Sequence, residues 1–120
     1  MQITKITDNF AVSPQIEFGD VAKIKSQGFT AIINNRPDGE AADQPLSQAL
    51  AKAAKKAGID YHHIPVRPGR ASADDKARFK QVLESTEGPV LAFCRTGTRA
   101  RLLHKSAMGG GGFFARLFGR

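Results

Sequence analysis

The 120-residue chain has one cysteine, no tryptophan, a single tyrosine and no acidic residue anywhere in residues 95–120. One cysteine excludes an internal disulfide, and no Cys/His cluster has zinc-ligand spacing, so no metal site and no cofactor are expected. That cysteine usage fits a reducing compartment. The opening Met1-Gln2-Ile3-Thr4-Lys5 has no signal-peptide apolar stretch, and no run approaches the roughly 20 apolar residues of a membrane span. A cytoplasmic protein is expected. The length suits one domain, and 41% hydrophobic with 24% charged residues is an ordinary globular composition.

The net charge of +7 is unevenly placed. Residues 1–94 carry twelve Lys/Arg against eleven Asp/Glu, so nearly all of the excess follows the cysteine. Arg95, Arg99 and Arg101 crowd one loop, which indicates a small-anion site with an electropositive approach. Nucleic-acid binding is the weaker reading, because no aromatic residues interleave with these charges and no binding motif is present.

That loop follows Cys94. The apolar run Val90-Leu91-Ala92-Phe93 reads as a strand delivering Cys94 into Arg95-Thr96-Gly97-Thr98-Arg99 at a helix start. Free amide N–H groups of such a loop can hold an oxyanion, and their field favours a negatively charged sulfur. Cys94 is therefore the candidate nucleophile.

Along the chain, Ile3–Ile6 and Phe10–Val12 read as short strands, Asp20–Gln27 as a helix and Phe29–Ile33 as a buried strand. Leu46, Ala49, Leu50, Ala53, Ala54 and Ala57 repeat at helical spacing up to Gly58, with Lys52, Lys55 and Lys56 on the wet face. Tyr61–Val66 predicts a strand. Ser72 is an N-cap for a helix that buries Phe79, Val82 and Leu83, and Thr98 to about Met108 predicts the last helix. Alternating strands and helices of this size specify an α/β three-layer sandwich with a largely parallel central sheet. Ligands of such sheets bind beyond the carboxyl ends of the strands, where Cys94 and the loops Asn34–Glu40 and Arg67–Ala71 open. Residues 1–108 form the domain. Residues 109–120 read as a Gly-rich hinge and a basic amphipathic tail bearing Phe113, Phe114, Leu117 and Phe118.

Three segments in order, Ile32-Ile33-Asn34-Asn35-Arg36-Pro37-Asp38-Gly39-Glu40, His63-Ile64-Pro65-Val66 and Gly88 through Arg99, resemble the bacterial beta-lactamase-hydrolase-like phosphatase-like domain family. The resemblance runs from Ile3 to about Ala100. It implies a fold like that of dual-specificity phosphatases, with Cys94 as nucleophile, the backbone of Arg95, Thr96, Gly97, Thr98 and Arg99 as anion cradle, and Arg99 as loop arginine. Some members are fused to a persulfide dioxygenase and linked to sulfurtransferase chemistry, which implies such a partner.

Two chemistries compete at this loop. Tyrosine and dual-specificity phosphatases share a histidine, a cysteine, a five-residue gap and an arginine. Here Phe93 precedes Cys94 and the arginine arrives after four residues, a spacing that resembles the rhodanese loop. Arg101 falls one place too late for the phosphatase spacing. Phosphatases also need a general acid, and Arg67-Pro68-Gly69-Arg70-Ala71 has no carboxylate. Asp74 and Asp75 follow, but Ser72 with Asp75 reads as a capping pair. Asp38 is equally a turn residue.

Sulfur transfer from thiosulfate or a persulfide through Cys94 needs no acid, so the residues favour a rhodanese-like sulfurtransferase. The alternative is a phosphatase acting on a phosphoester. A third reading is a non-catalytic anion- or thiol-sensing module. Arg36, His63 and Arg101 are auxiliary candidates: Arg36 pairs with Asp38 or Glu40 or helps bind the anion, and His62 and His63 alternate faces on their strand. His104 is expected to be solvated.

Overall fold

The computed structural model describes residues 1–109. Its framework follows from strands that are apolar on both faces. Four strands are β2 (Phe10–Ser13), β3 (Ala31–Asn34), β4 (Asp60–His63) and β5 (Val90–Phe93); β2, β3 and β5 are buried along their whole length. Such runs suit a sheet covered on both sides. With β1 (Thr4–Thr7) they form one sheet in the order β1-β2-β5-β3-β4, parallel except for the β1–β2 hairpin. The strand bearing Cys94 at its end is thus central, between β2 and β3.

Alternation along each strand splits the core. Ala11, Ile32, Leu91 and Phe93 face Val21 and Ile24 of α1 (Phe18–Ser26) and Leu50 and Ala54 of α2 (Ser47–Ala57). Phe10, Val12, Ile33 and Ala92 face Phe79 and Val82 of α3 (Ala73–Ser85) and Leu103 of α4 (Thr98–His104), which runs on into a π-helical turn at Lys105–Gly109. The α/β three-layer sandwich is therefore as expected. A fully buried Phe or Leu in these layers contributes about 1.5–3 kcal/mol.

Helix ends depart modestly from the sequence reading, each for a local reason. α1 starts earlier, because Glu17 and Asp20 form a reciprocal cap. Leu46 is the N-cap of α2 and is exposed, so it lies outside the packed face to which its spacing assigned it. β4 stops at His63, although Ile64 and Val66 stay buried and their amides bond the Asn34 and Asn35 carbonyls. Ser72 caps α3 with Asp75, as expected. The Gly-rich hinge and Phe/Arg tail assigned to 109–120 lie outside the described residues beyond Gly109.

His104 corrects an expectation. It is not a solvated surface group but stacks on Phe10, ring centroids 4.1 Å apart and planes nearly parallel, with the Phe79 ring steeply inclined to it at a centroid separation of 6.2 Å. Burial against these rings pushes its pKa below the ordinary value of 6.5. The folded state therefore favours neutral His104, and between pH 6.5 and the lowered value the unfolded chain binds more protons. Stability is expected to be complete above about pH 6.5 and to fall on acidification below it. Denaturant midpoints across this range check it: His104→Phe should flatten the dependence.

Candidate active site

The β5 strand ends at Phe93 and places Cys94 at the carboxyl edge of the sheet, with its side chain 1% exposed. The loop then reverses so that the Gly97 amide donates to Cys94 Sγ at 3.1 Å. Gly97 makes this turn with φ of 96°, a conformation that L side chains rarely adopt. A Cβ there would also lie 3.4 Å from the Ser13 carbonyl group. Gly97→Ala is accordingly expected to cost about 1–3 kcal/mol of stability and to displace the amide from the sulfur. Denaturant unfolding beside turnover measures both effects. The loop is tied down on either side, by the Gln15 amide donating to the Arg95 carbonyl and the Arg101 amide donating to the Gly97 carbonyl.

Arg99 projects from the first turn of α4 toward the β3 side of the rim. Its Nη1 donates to Glu40 Oε2 and to the Val66 carbonyl, both at 3.0 Å, and its Nη2 donates to Glu40 Oε1 at 3.2 Å. Arg36 Nε donates to the same Glu40 Oε1 at 2.9 Å, and its Nη1 donates to Gln15 Oε1. One carboxylate thus holds two arginines whose side chains are only 12% and 6% exposed. Burial raises the Glu40 carboxyl, but the hydrogen bonds and charges of Arg99 and Arg36 outweigh it and hold the group below its usual 4.5. Of the partners open to Arg36 in sequence, Glu40 is the one taken. Sequence reasoning missed that Glu40 also fixes Arg99, 59 residues away.

Cys94 opens into a cleft of about 420 Å³. Its apolar walls are Val66, Pro68, Ala71, Leu102 and Leu103, and its cations are Lys76, Arg95 and Arg99. Thr96 and Thr98 line it as well, so the loop residues singled out in sequence do converge with Cys94 and Arg99. The remaining candidates do not. Asp38 Oδ1 accepts from the Ser47 amide at the start of α2, and Asp75 is engaged with Ser72 at the start of α3. Asp74, exposed in the same turn, is not among the cleft's lining residues. His63 Nε2 bonds the Arg36 carbonyl at 2.9 Å and so supports the arginine rather than facing the cleft. Arg101 lies on the opposite side of the loop, in a groove with Ser13 and Gly97. No group of His, Cys, Asp and Glu among the described residues is arranged to hold a metal ion.

The chain that carries this site has known relatives. The family model of the beta-lactamase hydrolase-like protein, phosphatase-like domain, matches residues 2–110. The chain belongs to that family. The Beta-lactamase hydrolase-like protein of Agrobacterium fabrum is 38% identical over 104 residues, covering 87% of this chain and 24% of that protein. This phosphatase-like domain therefore spans about a quarter of its curated relative. A solved candidate phosphatase from Neisseria meningitidis is 38% identical, with a TM-score of 0.78 over 86% of this chain and 73% of its own. A structure of TpbA from P. aeruginosa with phosphotyrosine shares the fold alone, at 15% identity and a TM-score of 0.63, covering 86% of this chain and 61% of that one.

These findings overturn the sulfurtransferase expectation, and the sulfur donor and dioxygenase partner that went with it lose their support. The family is phosphatase-like, and the solved neighbour at 38% identity is described as a candidate phosphatase. The four-residue gap does not keep the arginine from the site: Arg99 lines the Cys94 cleft, its guanidinium held at the rim by Glu40 and the Val66 carbonyl. Among the described residues no helix is long and apolar enough to cross a membrane.

Proposed function

We propose that the domain is a cysteine-dependent phosphatase acting on phosphomonoesters. The observation that carries this reading is the buried Cys94 sulfur, met by the Gly97 amide at the floor of a cleft whose rim holds Arg95, Arg99 and Lys76. The fold neighbours and the family support it.

In this reading Cys94 attacks phosphorus as the thiolate. A sulfur–phosphorus bond forms, the phosphorus–oxygen bond to the leaving group breaks, and water then cleaves the phosphocysteine to release phosphate and regenerate the thiolate. The Gly97 amide and its neighbours in the loop, with Arg99, stabilise the charge on the transferring group. Glu40 positions Arg99: the carboxylate and the Val66 carbonyl fix three of its hydrogen bonds before substrate arrives, so little side-chain entropy is lost on binding. Arg36, held by Gln15 and the same carboxylate, keeps Glu40 in place.

Phosphate release from p-nitrophenyl phosphate, with inorganic phosphate as competitive inhibitor, tests the reading. Turnover with such inhibition is expected, and neither turnover nor phosphate binding would contradict it.

A further inference from the structure

A phosphatase needs a proton donor only when its leaving group is a poor one, and the placement of every carboxylate in this chain bears on that. All eleven Asp and Glu residues and all three histidines lie within residues 1–109. None lines the Cys94 cleft. Three nearby carboxylates are already engaged, Asp38 on the Ser47 amide, Asp75 on the Ser72 cap and Glu40 on two arginines that hold it ionised, while Asp74, exposed in the first turn of α3, is not among the cleft's lining residues. The loop after β4 brings Pro68, Gly69 and Ala71 to the cleft, with Arg67 and Arg70 in the same segment, and α3 adds Lys76. The cleft therefore presents cations and hydroxyls to a departing group.

Cations stabilise a leaving group that departs with a negative charge, whereas an alkoxide from a serine- or sugar-type ester requires a proton in the transition state. We propose that this site is specific for phosphoryl donors whose leaving group departs as a stable anion, namely acyl phosphates and esters of acidic phenols. The inference rests on the phosphatase reading and narrows its substrate class. In the first step the Cys94 thiolate takes the phosphoryl group and the phosphorus–oxygen electron pair leaves with the carboxylate or phenolate, which is protonated later by solvent. Water then hydrolyses the phosphocysteine, with its protons passing to bulk water. The apolar walls Val66, Pro68, Ala71 and Leu102 suit a small planar group beside the phosphate.

The test is kcat/KM for a series of aryl phosphates of graded phenol acidity, with acetyl phosphate alongside and Cys94→Ser as the background. We expect kcat/KM to fall by about 10²- to 10⁴-fold from the most acidic phenol to phenol itself, the factor a positioned acid otherwise supplies. Acetyl phosphate is expected to be cleaved, and Asp74→Asn to leave the dependence unchanged. A flat dependence on phenol acidity would overturn the substrate class while leaving the phosphatase reading standing. Loss of turnover on ordinary phenyl esters alone in Asp74→Asn would overturn it too, by identifying the acid. No Cys94-dependent phosphate release from any donor would overturn the phosphatase reading itself.

Discussion

Glu40→Ala is expected to lower kcat/KM by about 10²-fold, the effect of misplacing a group in the reaction geometry by an ångström or so. Removing the carboxylate frees three of the hydrogen bonds that orient Arg99 and Arg36, leaving two nearly buried guanidiniums facing one another without their shared anion. Breaking a fully buried pair costs about 3–5 kcal/mol; Glu40 keeps 24% of its side chain in water, so a loss of stability nearer the lower figure is expected. Glu40→Gln separates the two effects, because an amide still accepts from one arginine. It should recover much of the stability and less of the activity. Circular dichroism melts beside kinetics on p-nitrophenyl phosphate check both. Equal activity in wild type and Glu40→Ala would remove Glu40 from the account of Arg99. The pH dependence has the same origin. Since the arginines hold the folded-state carboxyl below 4.5, the Glu40 contribution is present above that pH and is lost as the pH falls through the lowered value.

Cys94→Ser is the second change with a large expected effect, a loss of phosphate release to background with the fold intact. Serine is close in volume, so the wall it shares with Val66, Ala100 and Leu103 should persist. A hydroxyl at this position has no base in the cleft to activate it, and the Gly97 amide that meets the sulfur would meet a neutral oxygen. Binding of inorganic phosphate should survive, because the amides and Arg99 remain. Calorimetric titration with phosphate against the loss of turnover makes that distinction.

What could be read from sequence was mostly what short-range chemistry decides. Val90–Phe93 and the α3 cap at Ser72 are where they were expected, since an apolar run between Gly88-Pro89 and the loop, and a Ser-x-x-Asp pair, each carry their own boundary. The α2 helix was legible from its small-residue spacing, yet Leu46 fits that spacing and is exposed, because the helix begins only after it. Cys94 and its loop were legible because strand, glycine and arginines are contiguous. Glu40 was not, because its bond to Arg99 joins residues that only the parallel pairing of β3 with β5 brings together. An acid following Arg36 by four residues was the one available signal. His104 was misjudged for a similar reason: one face of α4 stacks on Phe10 of a strand ninety-odd positions earlier, a contact that helical spacing alone does not encode. The chemistry was misread where the lack of a carboxylate in Arg67–Ala71, together with the four-residue gap before Arg99, was taken to favour sulfur. Arg99 is placed by Glu40 and the Val66 carbonyl as much as by its distance from Cys94 along the chain.

The most direct test of a phosphoryl-transfer nucleophile at Cys94 is intact-protein mass after rapid acid quench of a reaction with an acidic aryl phosphate. Wild type should gain one phosphoryl group, mapped to Cys94 and released as phosphate on further incubation, and Cys94→Ser should gain none. Phosphate release without an adduct on Cys94, or turnover that survives Cys94→Ser, would contradict the account.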